Sequence, residues 1–180
     1  EAAVATLPGL LPHAQAVASG VNVLVFVCVF IGAGWTIKVQ YGILAVLVLS
    51  LLSFGVGGVI HFDSAILESN LLPRVSGLGW LGLLPAFALF FPAATGIMAG
   101  ANMSGDLADP GRSIPRGTLG SIAATAAVYL LMAFLLAGAA SRADLVGGNM
   151  IVRDVAFFGP AITLGIFAAT LSSAIGSMMG

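Results

Sequence analysis

Residues 90–110, FFPAATGIMAGANMSGDLADP, decide how this chain is read. They sit at the end of a stretch without charge that runs from Val75 through Gly105, well beyond the about 20 residues a straight membrane helix needs. Inside it Pro92 removes a backbone donor and its ring presses on the carbonyl four residues earlier. Gly96 and Gly100 weaken the helix on the far side of Thr95. The expectation is a helix broken near Thr95.

At membrane depth a break is tolerated only where the freed backbone meets protein or a watery cavity, because lipid cannot satisfy its N–H and C=O groups. The half-helix ending near Pro92 turns unpaired carbonyls to such a gap, and the half starting at Gly96, Ile97 and Met98 turns unpaired N–H groups to it. Carbonyls suit a cation and N–H groups an anion. With both sites filled at about 6 Å and an effective dielectric near 20, their attraction is roughly 3 kcal/mol. The alternative is plain packing, since Pro and Gly are frequent in membrane helices and a PxxTG kink can simply let neighbours approach.

The composition agrees with a membrane protein. The chain is 59% hydrophobic and 7% charged, with a mean hydropathy of +1.12, too little polar surface for a soluble globule of this length. A net charge of −1 with scattered basic residues excludes a nucleic-acid partner. Cys28 is the only cysteine, so no disulfide forms within the chain, and a small apolar filler is its expected role. No signal peptide is evident, and both ends read as cut from a longer protein.

Pro8, Gly9 and Pro12 break the first segment, which fits the end of a preceding span. Apolar runs then follow at about 16–37 and 40–61, with a short loop at Lys38 between them. The polar positions Gln40, Tyr41, Ser50, Ser53 and His61 mark the second run, where Gly55, Gly57 and Gly58 permit close helix contact. Residues His61 to Gly77 carry Asp63, Glu68 and Arg74 and are expected in water. After the broken span at about 78–105 comes a loop with Asp106, Asp109, Arg112 and Arg116. There Ser113 is expected to cap a helix starting near Pro115. Solvation explains these charges, and a gate formed by Asp106 and Asp109 is the rival reading. Further spans follow at about 115–141 and 155–180. His13 and His61 have no ligand-spaced partner for a metal, and no Ser/His/Asp set or phosphate loop suggests an enzyme.

Near the end, Ala169, Ser172 and Ser173 follow i, i+3, i+4 spacing and share a helix face. One carbonyl and two hydroxyls there offer hard oxygens to a small cation. Against this, Gly165, Ala169, Ser173 and Ser177 form a small-residue ridge of the kind that packs helices closely.

FFPAATGIMAGANMSGDLADP followed by SIPRGTL resembles the sixth transmembrane helix and following loop of the cation-chloride cotransporters, in the amino acid-polyamine-organocation superfamily. The likeness continues through GWTIKVQ, AILESN and IFAATLSSA and covers nearly the whole chain. It implies an all-α integral membrane protein, a partial inverted-repeat leucine-transporter-like fold with one discontinuous helix. The chain would hold the end of helix three, helices four to seven and most of helix eight. It implies potassium contacts from the Pro92 carbonyl and Thr95 hydroxyl, and chloride held by the N–H groups of Gly96, Ile97 and Met98. Sodium would be bound by the Ala169 carbonyl and the hydroxyls of Ser172 and Ser173. Ligands from the family's first, third and tenth helices fall outside these residues.

Sodium-independent members generally lack the serine pair, so Ser172 and Ser173 favour the sodium-coupled, sodium-potassium-chloride-like branch. A sodium-chloride transporter is the alternative, because the family's tyrosine ligand for potassium falls before Glu1. The implied function is electroneutral symport of sodium, chloride and potassium across the cell membrane by alternating access, with no cofactor. Expected partners are the transported ions, lipid, the remaining helices and a second copy as a homodimer. An amino-acid permease of the same superfamily and a helix-packing module without transport are the competing functions. On the family topology Lys38, Arg112 and Arg116 face the cytoplasm and Arg74, Arg142 and Arg153 the outside, so the charges do not choose an orientation.

Overall fold

A computed structural model of the chain describes residues 12–71, 83–91, 104–147 and 150–179, and among these there are helices and no strand. The expected break near Thr95, with Pro92, Gly96, Ile97 and Met98, lies outside the described residues. Among the described residues three helices are long and apolar enough to cross a membrane: Gly34–Ile60, Pro110–Ala139 and Gly159–Met178. The protein is therefore all-α and membrane-embedded.

The first helix, α1, covers Ala14–Phe30, and the second, α2, covers Ala33–Ile60. Lys38 was expected to mark the turn between these spans, but the chain turns earlier, at Gly32. That residue has φ of 122°, a backbone region closed to residues with a Cβ. Lys38 lies inside α2 and is exposed, as a long side chain can be when its charged end reaches outward. Buried Thr36 joins the two helices. Its hydroxyl is 3.0 Å from the carbonyls of both Cys28 and Gly32, supplying a donor where α1 leaves carbonyls without helical partners.

The segment from His61 forms a short helix, α3, Ser64–Leu71, where a watery loop was expected. Asp63 opens it by accepting from the Ala65 N–H at 2.8 Å. This helix docks on the end of α5, Pro110–Ala139. The Asp63 N–H donates to the Gly138 carbonyl at 2.9 Å, and the Asn70 amide donates to the carbonyls of Ala137 and Ala140 at 2.7 and 2.9 Å. The carbonyls that a helix end leaves open are thus closed from outside the helix. Phe62 packs against Phe134 with ring centroids 5.3 Å apart, in space left by Gly138, where a Cβ would strike the ring.

Helix α4 covers Leu83–Phe90, and its last ring meets Tyr129 of α5 edge-on at 5.5 Å. A 3-10 turn, Ser104–Asp106, leads into α5. Ser113 was expected as the cap, yet Asp109 takes that place, accepting from the Arg112 N–H at 3.3 Å. Pro110 at the first helical position lacks only an N–H that would have no helical partner, so the helix can begin there, and Pro115 falls inside it. At 30 residues α5 is about 45 Å long, against about 30 Å of hydrocarbon. Its first two turns, with Arg112 and Arg116, have length to spare outside the lipid.

Two short helices, α6 at Arg142–Gly147 and α7 at Ile151–Val155, lead to α8, Gly159–Met179. Helix α2 is the centre of the packing. One buried cluster joins Phe54 of α2 to Leu135, Val155, Ala156 and Ile162, and a second joins Val25 of α1 and Ile43 of α2 to Ala168 and Ile175 of α8. Gly57 lets the backbone at 155–157 lie directly on α2, and Gly165 of α8 leaves room for the Ser50 side chain. Ser53 fastens the entry to α8: its carbonyl accepts from the Phe157 N–H at 3.0 Å, and its hydroxyl lies 2.9 Å from the Phe158 N–H.

The glycine contacts give a paired test. A Cβ at Gly57 would collide with the backbone of Val155 to Phe157, whereas one at Gly55 meets nothing within 4 Å. Gly57→Ala should destabilise the detergent-solubilised full-length protein by about 1–3 kcal/mol, read as a lower thermal unfolding midpoint. Gly55→Ala should leave that midpoint unchanged or slightly raised.

Candidate cation site

On α8 the residues that face its neighbours are Ile162, Gly165, Ala168 and Ile175, all buried. Of the small-residue ridge Gly165, Ala169, Ser173 and Ser177, only Gly165 belongs to that packed face. Ala169, Ser173 and Ser177 are exposed and Ser172 is half-buried at the edge. The three residues expected to hold sodium therefore lie along one side of α8, with Ser172 next to α2 and the other two turned away from the contacts among the described residues.

Ser172 has a partner that the spacing of α8 could not reveal. Its hydroxyl donates to Gln40 Oε1 of α2 at 2.7 Å, while Gln40 Nε2 donates to the Ser172 carbonyl at 3.3 Å. Two other hydroxyls on α8 turn inward to their own helix, Thr170 to the Ile166 carbonyl and Ser177 to that of Ala174. Gln40 counted in the sequence only as a polar position of the second span. The available signal was an amide in an apolar segment, which membrane burial makes costly without a partner.

The oxygens that this side of α8 offers are neutral: the hydroxyls of Ser172 and Ser173 and the Ala169 carbonyl, which has a second lone pair. No group of three or more His, Cys, Asp and Glu that could hold a metal occurs among the described residues. A set without carboxylates suits a monovalent cation held loosely rather than a divalent one. The sequence alternatives elsewhere find local roles. Asp109 caps α5, which favours a structural role over a gate, and His61 donates from Nδ1 to the Gly57 carbonyl at 2.8 Å. Two apolar grooves flank α2. One of about 460 Å³ is lined by Leu49, Leu52, Phe157 and Leu164, and one of about 710 Å³ by Leu51, Val59, Leu131 and Met132. Neither offers a cation ligands comparable to those beside Ser172.

The helices define a multi-pass integral membrane protein. The chain belongs to the amino acid permease family, whose model matches residues 6–180. Its relatives include solute carrier family 12 member 8 of Mus musculus, 36% identical over 158 residues, which cover 83% of this chain and 22% of the mouse protein. Member 1 of Homo sapiens is 32% identical over 198 residues, covering 82% of this chain and 18% of the human protein. Member 9 of Danio rerio is 40% identical over 124 residues, covering 66% of this chain and 14% of the fish protein. The chain thus spans about a fifth of the length of the mouse and human relatives. These are members of the cation-chloride cotransporter family, as the string at 90–110 led one to expect, and they are solute carriers rather than enzymes.

The Gln40–Ser172 pair should be measurable in stability. In a double-mutant cycle on the solubilised full-length protein, Gln40→Leu and Ser172→Ala should show a coupling of about 0.6–1.7 kcal/mol, the range for interhelical bonds in membranes. Strictly additive effects would mean that the two side chains do not bond.

Proposed function

We propose that the intact protein is a secondary symporter of sodium and chloride, with potassium as a further cargo, working by alternating access on an inverted-repeat, leucine-transporter-like core. In this reading the chain supplies the end of helix three, helices four to seven and most of helix eight. The observation that carries it is the likeness to solute carrier family 12 members over more than four fifths of the chain, beside the Pro92 to Met98 string that resembles the cation-chloride cotransporters' potassium and chloride positions. Placement of Ala169 and Ser173 off the packed face of α8 supports a sodium role for them, since helix packing among the described residues does not use them. Potassium would meet Pro92 and Thr95, chloride the N–H groups of Gly96, Ile97 and Met98, and sodium the Ala169, Ser172 and Ser173 oxygens. In this reading the cycle is electroneutral, with one chloride moving for each cation carried.

A second reading has its own support, because the matching family model is that of amino acid permeases. Such a transporter would bind an ammonium and a carboxylate across the same break.

Flux through the full-length protein in liposomes distinguishes these readings, with sodium, potassium or chloride omitted one at a time. The symport reading expects labelled chloride uptake to fall at least about tenfold without sodium and to be indifferent to an imposed membrane potential. Persistence of uptake when potassium alone is omitted would remove potassium from the cargo. Labelled amino-acid uptake that ignores chloride would favour the permease instead.

A further inference from the structure

A hydroxyl that binds a cation must present lone pairs to it, yet a serine in a helix can rotate its single hydrogen among several acceptors. At Ser172 that freedom is taken away by α2. Gln40 Oε1 receives the hydroxyl hydrogen at 2.7 Å, and Gln40 Nε2 is anchored on the Ser172 carbonyl at 3.3 Å. The amide has one sensible orientation, because a carbonyl cannot donate and so must face Nε2, leaving Oε1 for the hydroxyl. The two bonds close a ring that fixes both the rotamer and the hydrogen of Ser172.

We infer that Gln40 is a positioning residue for the cation site on α8, taking the hydroxyl hydrogen so that the Ser172 oxygen is left as a pure acceptor for the cation. The inference rests on the sodium reading of Ala169, Ser172 and Ser173 proposed above. Gln40 itself is not a ligand in this arrangement. Its amide oxygen is occupied by the hydroxyl hydrogen, and it acts on the cation through Ser172, as outer-shell groups orient metal ligands elsewhere. It also ties cation binding to the α2–α8 contact, since the ligand's geometry is set from the neighbouring helix rather than from its own.

The test is sodium-dependent labelled chloride uptake by the full-length protein in liposomes, with each variant normalised to the amount inserted. Gln40→Met, which keeps length and loses both bonds, should raise the half-saturating sodium concentration about tenfold or more while keeping most of the maximal rate. Gln40→Glu, which keeps an acceptor for the hydroxyl hydrogen, should return it to within about threefold of native. A merely structural role would lower the amount of folded protein and leave half-saturation where it was. Gln40→Met with half-saturating sodium within about twofold of native overturns the inference, provided Ser172→Ala weakens sodium dependence. If Gln40→Met does not fold, Gln40→Ala reads the same quantity, and failure of both to fold assigns Gln40 to structure and also overturns it. Sodium dependence that is absent in the native protein, or untouched in Ser172→Ala, removes the sodium reading itself and this inference with it.

Discussion

Lipid offers no hydrogen bonds, and every interruption of a helix within the membrane must find its partners in the protein. The described residues meet that demand by lending groups from one segment to another. Thr36 closes the end of α1 after the turn at Gly32, Asp63 and Asn70 close the end of α5, and Ser53 holds the entry to α8. Short polar side chains in and beside the apolar spans thus add directed bonds to the apolar clusters that join the helices.

That requirement also shapes the candidate site. Helix α2 touches α1, α5 and α8, with Gly57 and Gly165 allowing the closest approaches. Packing fixes one face of α8 through Gly165, Ala168 and Ile175 and leaves Ala169 and Ser173 outward. Ser172 lies at the boundary, bonded to α2. A cation there would be held by a helix whose register is set by its neighbour, which is how a small ligand can bias the relation between two helices.

The spans themselves were legible because uncharged runs of sufficient length have few soluble explanations. Their ends were less so. Lys38 looked like the turn because charge suggests water, but the backbone broke where glycine permitted φ of 122°. Ser113 looked like a cap, yet Asp109 with Pro110 behind it made a better start three residues before Arg112 was reached. Helix α3 was hidden because its stability comes from α5, through Asn70, rather than from its own short sequence. Of the candidate site, i, i+3, i+4 spacing put Ala169, Ser172 and Ser173 on one side of α8 but could not choose between packing and ligation, since both need small residues on one face. The pairing of Gln40 with Ser172 was out of reach for a different reason: the two are distant in sequence, and no periodicity connects them.

The central claim is that α8 gives its apolar face to α2 and its oxygen-bearing side to a cation. An experimental structure of the full-length protein in sodium and chloride tests it most directly. The expected result is cation density touching the Ala169 carbonyl and the hydroxyls of Ser172 and Ser173, with Gln40 behind Ser172, opposite an interrupted helix between Phe91 and Ser104. A continuous, fully paired helix through those residues facing lipid, with Ala169 and Ser173 packed dry against a neighbour, would contradict it.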